Sequence, residues 1–198
     1  MKILAFVDLH ENQTAWKKVK EKAKDVDVVV CAGDISIFEH RLSHFLKELN
    51  NLKKPVMMIH GNHESDSSMR KMCRNLDNIF LIHKNRKVLE NCLFLGYGGG
   101  GFRYIDKEFD RVAKSFKLAM KEHPDKVVFL VTHAPPYNTR IDQIMRKPCG
   151  NKNIKKFVID SKPDYTIAGH IHECAGKKQK IGKCLVINPG PKGKILTA

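Results

Sequence analysis

No apolar run in this 198-residue chain approaches the ~18 residues that a membrane-spanning helix needs. Only five apolar residues, 3–7, separate Met1-Lys2 from Asp8, too few for the core of a secretory signal. No stretch rich in proline, glycine or serine divides the sequence, so residues 1–198 are expected to form one domain with a sizeable core. The six cysteines, Cys31, Cys73, Cys92, Cys149, Cys174 and Cys184, include no C-x-x-C pair, which argues against a zinc ribbon or a dithiol redox motif. They read as buried or inert thiols, and the chain as cytoplasmic. The glycine run Gly98-Gly99-Gly100-Gly101 lacks the lysine of a P-loop and reads as a bend. Acidic residues are scarce as well. Asp and Glu number 21 against 36 Lys and Arg, a formal charge of +15, with the excess gathered in residues 17–24, 84–87, 152–156 and 177–180. A basic surface favours encounter with polyanions. No aromatics interleave with these patches, however, as a single-strand binder requires, and the default reading is a solvated lysine surface.

What the chain does have is histidine in a particular arrangement. Half of its ten histidines fall in five short motifs: Asp8-Leu9-His10, Gly33-Asp34, Gly61-Asn62-His63, Thr132-His133 and Gly169-His170-Ile171-His172. Each motif follows a short apolar run, at 3–7, 26–31, 56–59, 127–131 and 165–168, that is rich in β-branched or aromatic residues and reads as a buried strand. Further strands are expected over 93–96 and 183–187, and helices over 14–24, 39–49, 68–76, 109–122 and 151–161. Strand and helix alternate, which defines an α/β chain. Ligands of open α/β sheets gather at the carboxyl ends of strands, where side chains remote in sequence share one pocket.

The residue types in these motifs suit a pair of metal ions. Four imidazoles, two carboxylates and one amide oxygen make a mixed nitrogen and oxygen set. It has no thiolate for a soft ion and too much nitrogen for calcium or magnesium. That leaves manganese, iron, zinc, cobalt or nickel. Asp34, with two carboxylate oxygens, can bridge two cations roughly 3.5–4 Å apart. Asn12 and Glu64 stand beside candidate ligands and read as helix caps or substrate contacts. Tyr137 and Arg140, beyond the Pro135-Pro136 pair, belong either to the pocket or to a rigid surface loop. His40 and His44 read as surface residues, and His60, His83 and His123 join no constellation.

In their order and context the five motifs, closed by Asn188-Pro189-Gly190, resemble the calcineurin-like metallophosphoesterase superfamily across residues 3 to about 190. The resemblance implies two packed mixed β-sheets flanked by helices, a four-layer α/β/β/α sandwich. It implies one metal held by Asp8, His10, Asp34 and His172 and a second held by Asp34, Asn62, His133 and His170, with manganese the first expectation. His63 would be the catalytic residue, a general acid for the leaving group. The function implied is hydrolysis of phosphate esters by a metal-bridging hydroxide attacking phosphorus in line, with diesters preferred over monoesters. Glu11 stands where relatives often carry glycine, which alters the first loop. A nuclease acting on DNA or RNA and a non-catalytic interaction scaffold of the same fold are the alternatives.

Overall fold

A computed structural model describes residues 1–198. The first half of the chain runs β1 (Lys2–Phe6), α1 (Gln13–Ala23), β2 (Val28–Cys31), α2 (Leu42–Asn50), β3 (Val56–Met58), α3 (Asp66–Cys73), β4 (Ile79–Leu81), β5 (Asn85–Leu89) and β6 (Cys92–Tyr97). It continues with α4 (Lys107–Glu122), β7 (Val127–Thr132), β8 (Gln143–Ile144), β9 (Lys147–Pro148), α5 (Lys152–Ser161), β10 (Tyr165–Ile167), β11 (Lys178–Ile181), β12 (Cys184–Ile187) and β13 (Lys194–Thr197). A single 3₁₀ turn, His172–Cys174, precedes β11.

Two large sheets result, one in the order β13-β1-β2-β3-β4 and the other β11-β12-β10-β7-β6-β5, with β8 and β9 forming a small ribbon. Within the first, β1 through β4 are parallel and β13 runs antiparallel to β1. In the second, β12, β10, β7 and β6 are parallel, and the edge strands β11 and β5 are antiparallel.

Side-chain alternation along each strand explains the layering. Ile3, Ala5, Val28 and Val30 of the first sheet meet Phe94, Phe129, Val131 and Ile187 of the second in one apolar layer. The intervening Leu4, Phe6, Val29 and Cys31 face Trp16, Val19, Phe45 and Leu46 of α1 and α2. On the far side Leu93, Leu95, Leu130 and Val186 face Phe109, Phe116 and Phe157 of α4 and α5. Strands buried on both faces are therefore continuously apolar, as the sequence predicted. The order helix, sheet, sheet, helix is the expected four-layer sandwich.

Boundaries moved where side chains outside the periodic stripe intervened. Helix α1 is capped by Asn12, whose side chain accepts from the Ala15 amide at 2.9 Å. Helix α2 begins at Leu42, three residues later than expected, because Phe38, Glu39 and Arg41 adopt left-handed backbone angles (φ 47°, 63° and 49°). Glu39 is instead tied to the amide and hydroxyl of Ser65 and to the hydroxyl of Ser68, each at 2.8 Å, and Ser65 caps α3. Strands β4, β5, β11 and β13 lie outside the strands that apolar runs pointed to. All four are sheet edges, three of them, β5, β11 and β13, have exposed polar positions, and β5 and β11 carry two of the basic clusters, where charge protects an unpaired edge.

Candidate metal centre

The parallel strands deliver the five motifs to one end of both sheets. Asp8 and His10 follow β1, Asp34 follows β2, Asn62 and His63 follow β3, His133 follows β7, and His170 and His172 follow β10. Four of these residues sit in the left-handed region, Asp8, His10, Asp34 and His170, with φ of 53°, 43°, 52° and 67°. Such conformations persist in non-glycine residues only where the surroundings over-determine them, and they concentrate at functional sites. Gly61 is required by close approach, since a Cβ there would collide with the Asp34 carboxylate.

Asp34 is the hub. Its Oδ2 lies 3.2 Å from His133 Nε2, 3.7 Å from His10 Nε2 and 4.0 Å from His63 Nε2. Its Oδ1 accepts from the His63 amide at 2.9 Å. Burial pushes the Asp34 carboxyl up, but the hydrogen bond and charge of His133, the His63 amide and His10 together bring it down to about 2. His133 is fully buried, which opposes its charge, yet Asp34 and Asp8 raise it to about 9. His170 is lowered to about 4 by burial and by His133, and burial likewise lowers His10. On Asp8 burial prevails over His133 and raises the carboxyl.

The donor set fits cations. His133 Nδ1 donates to the Ala32 carbonyl oxygen at 2.9 Å, which aims Nε2 at Asn62 Oδ1 at 3.0 Å and at Asp34 Oδ2, and the raised ring holds a proton there. A cation in place of that Nε2 proton meets three ligand atoms at short range, the ring nitrogen and the two oxygens. His10 Nε2 and His172 Nε2 approach to 3.0 Å, and both can offer a lone pair. His170 Nε2 is buried with no protein partner, while the His170 amide donates to Asp8 Oδ1 at 3.2 Å. Asp8, His10 and His172 form one group able to hold an ion, and Asp8, Asp34 and His133 another.

Glu64 is neither a cap nor a substrate contact. Its buried carboxylate accepts from the amides of Asp34 (3.0 Å), Gly61 (3.0 Å) and Ser36 (2.9 Å) and from the Ser36 hydroxyl (2.9 Å), locking the β2 and β3 loops together. Glu11, the departure in the first loop, takes His40 Nδ1 at 2.8 Å and the Ile37 amide at 3.2 Å. Tyr137 packs on Tyr104 with ring centroids 4.9 Å apart, and the Arg140 amide donates to Gln179, so these two brace the surface loop.

His60 and His83 do join a constellation, with Asp66. The Gly98 amide donates to His83 Nδ1 at 2.8 Å, the Gly99 amide to the His60 carbonyl at 3.0 Å, and His60 Nδ1 to the Gly61 carbonyl at 2.8 Å. With Nδ1 accepting, the neutral His83 ring carries its proton on Nε2 and is a donor rather than a metal ligand. The pair fastens the glycine bend beside the centre. No sequence spacing signals this, because the contacts run through backbone amides. Two exposed rings flank the site: Phe38, 78% exposed, lies 4.4 Å from the His63 ring, and Phe102, 65% exposed, lies 4.3 Å from the His170 ring.

The sequence profile of the calcineurin-like phosphoesterases matches residues 1–174. The chain belongs to that family. Its members are metal-dependent hydrolases of phosphoric esters, and β11, β12 and β13 lie beyond the matched segment. An uncharacterized protein of Methanocaldococcus jannaschii is 33% identical over 205 residues, covering 97% of this chain and 89% of that protein. Among solved structures, a dimetal phosphatase from Danio rerio superposes with TM-score 0.65 at 12% identity, covering 94% of this chain and 86% of that one. A novel archaeal phosphodiesterase superposes with TM-score 0.56 at 18% identity, covering 96% of this chain and 84% of that one. These two likenesses are of fold.

Proposed function

We propose that this calcineurin-like phosphoesterase is a dinuclear enzyme of one domain, residues 1–198, that hydrolyses phosphodiesters in preference to phosphomonoesters. Asp8, His10, Asp34 and His172 hold one ion and Asp34, Asn62, His133 and His170 the other, with manganese the first candidate. The observation that carries the reading is the convergence of Asn62 Oδ1 and one oxygen of buried Asp34 on His133 Nε2. Bound there, a pair of cations supplies charge beside the phosphoryl oxygens and acidifies a water toward a pKa of about 7.

The remaining chemistry belongs to the chain. His63 Nδ1 accepts the Phe38 amide at 3.3 Å, which leaves the ring proton on Nε2, the atom on the Asp34 side. From Nε2 the ring donates a hydrogen bond to the departing oxygen and stabilises the negative charge that grows there. Phe38 and Phe102 stand against two different histidines of the centre, offering one apolar contact to each organic group of a diester where a monoester has a single such group. The six free thiols, five of them buried, support a cytoplasmic setting.

The deciding experiment strips the protein with chelator, counts metal on reloading, and measures turnover of bis(p-nitrophenyl) phosphate and p-nitrophenyl phosphate. Two ions per chain and manganese-restored turnover, faster on the diester, are expected. Undiminished turnover by the stripped protein overturns the reading.

A further inference from the structure

The cleft at the metal centre does not end there. A cavity of about 370 Å³ lined by Asp8, His10, Asn12 and His172 also touches Ala175 and Pro191. Those two residues also line a second cavity, of about 430 Å³, whose lining includes Lys22 of α1, Lys192 of the loop after β12 and Lys194 of β13. The loop that separates the two is fixed from both sides. The Val7 amide donates to the Gly190 carbonyl at 3.3 Å, the Gly190 amide to Asn188 Oδ1 at 2.9 Å, and Asn188 Nδ2 to the Ile171 carbonyl at 3.1 Å, one residue before His172.

Three lysines gather here with no carboxylate paired to any of them. Lys22 Nζ donates to the carbonyl oxygens of Lys192 (2.8 Å) and Gly193 (2.7 Å), which fixes its position and leaves one of its three protons free. The nearest acid, Glu21, is taken by Lys18 at 3.0 Å. Partial burial, and then repulsion from Lys194, Lys18 and Lys192, lowers the Lys22 ammonium below its ordinary range. Elsewhere some basic residues are matched, Lys20 on Glu48, Lys84 on Glu108, Arg86 on Glu122 and Lys156 on Asp160, and the unmatched lysines of 177–180 line neither of these two cavities. Crowded like charges held in a concavity are stabilised by an anion, and phosphate accepts from several ammonium groups at once.

We propose that the cavity of Lys22, Lys192 and Lys194 is a subsite for a second phosphate of the substrate, so that the preferred substrates are esters bearing a further phosphate beyond the one cleaved. This rests on the phosphoesterase reading of the adjoining cleft. A small bisphosphate and the next link of a nucleic-acid strand present the same chemistry to the cavity.

Two chromogenic diesters that share a nucleoside and a leaving group test it: thymidine 5′-(p-nitrophenyl phosphate) and its 3′-phosphorylated form. With manganese-loaded protein, kcat/KM for the 3′-phosphorylated ester is expected to exceed that for the plain ester by about tenfold, the worth of one charge-assisted hydrogen bond. The double variant Lys192→Gln with Lys194→Gln removes that advantage and leaves the plain ester unchanged. Equal rates on the two esters in the wild type, or equal slowing of both in the variant, overturns the subsite. Binding of thymidine 3′,5′-bisphosphate to metal-free protein, followed by calorimetry, separates this outcome from failure of the enzymatic reading. If neither ester is turned over, the hydrolase assignment fails. The subsite still stands if the double variant binds the bisphosphate about tenfold more weakly, and falls if the two proteins bind alike. Oligothymidylates of increasing length identify the source: affinity that climbs past two phosphates assigns a strand, and a plateau at two assigns a small bisphosphate.

Discussion

His133 Nε2 lies 3.2 Å from Asp34 Oδ2 in the most enclosed part of the centre, where His133 is fully buried and Asp34 is 1% exposed. A buried carboxylate there needs a positive partner, and in the metal-free protein the raised His133 ring supplies it. In the metal-loaded protein that partner is a cation, and binding to the folded state alone raises stability by mass action. Manganese is therefore expected to raise the melting temperature of stripped wild type, and Asp34→Asn to lose most of that rise. The same variant should lose more activity than the ~10–100-fold that follows from disturbing a ligand-orienting partner. A wild-type thermal shift in Asp34→Asn, measured by differential scanning calorimetry, would count against the bridging role.

His63→Ala should keep both metals and the fold yet turn over more slowly, by roughly 10²–10⁴-fold, the range of general acid–base contributions. The loss is expected to be steepest for esters with poor leaving groups, which most need the hydrogen bond from Nε2, and shallow for nitrophenyl esters. A leaving-group series on the two proteins checks this. Equal slowing across the series, or loss of a metal on elemental analysis, contradicts stabilisation of the leaving group by Nε2.

The seven candidate ligands were legible because each follows an apolar run, and parallel strands carry such residues to a common end. The sheet edges were not legible, since Asn85-Arg86-Lys87 reads as a polar loop until β6 pairs with it. Glu64 illustrates the other gap. Its neighbours in sequence are a candidate catalytic histidine and a capping serine, but two of its three amide partners lie 28 and 30 residues away. Hydrogen bonds to backbone carry no residue-type signature, and so neither Glu64 nor the His60 and His83 tie to the glycine bend could be read from spacing.

That tie makes acid stability testable. Burial, and then His60, lowers His83 to about 4 from its ordinary 6.5. A base whose folded pKa is depressed stays neutral in the fold while the unfolded chain takes up a proton, so stability is full above pH 6.5 and declines toward pH 4. His83→Gln keeps an acceptor in the side chain for the Gly98 amide without titrating. Urea midpoints measured across this window should fall less in His83→Gln than in wild type, and parallel curves would show that another group governs the acid limb.

The exposed rings make the diester preference separable from the metal chemistry. Phe38→Ala leaves the amide that faces His63 Nδ1 in place, and Phe102→Ala removes a ring that only borders His170. Each aromatic contact is worth about 0.5–1.5 kcal/mol, so KM for bis(p-nitrophenyl) phosphate should rise by about two- to tenfold in either variant with kcat little changed. The monoester p-nitrophenyl phosphate, with one organic group, can occupy only one of the two faces. It should therefore respond to one substitution and not to the other. If both variants raise KM for monoester and diester alike, the rings act on the centre as a whole, and the argument that two apolar faces select two organic substituents fails.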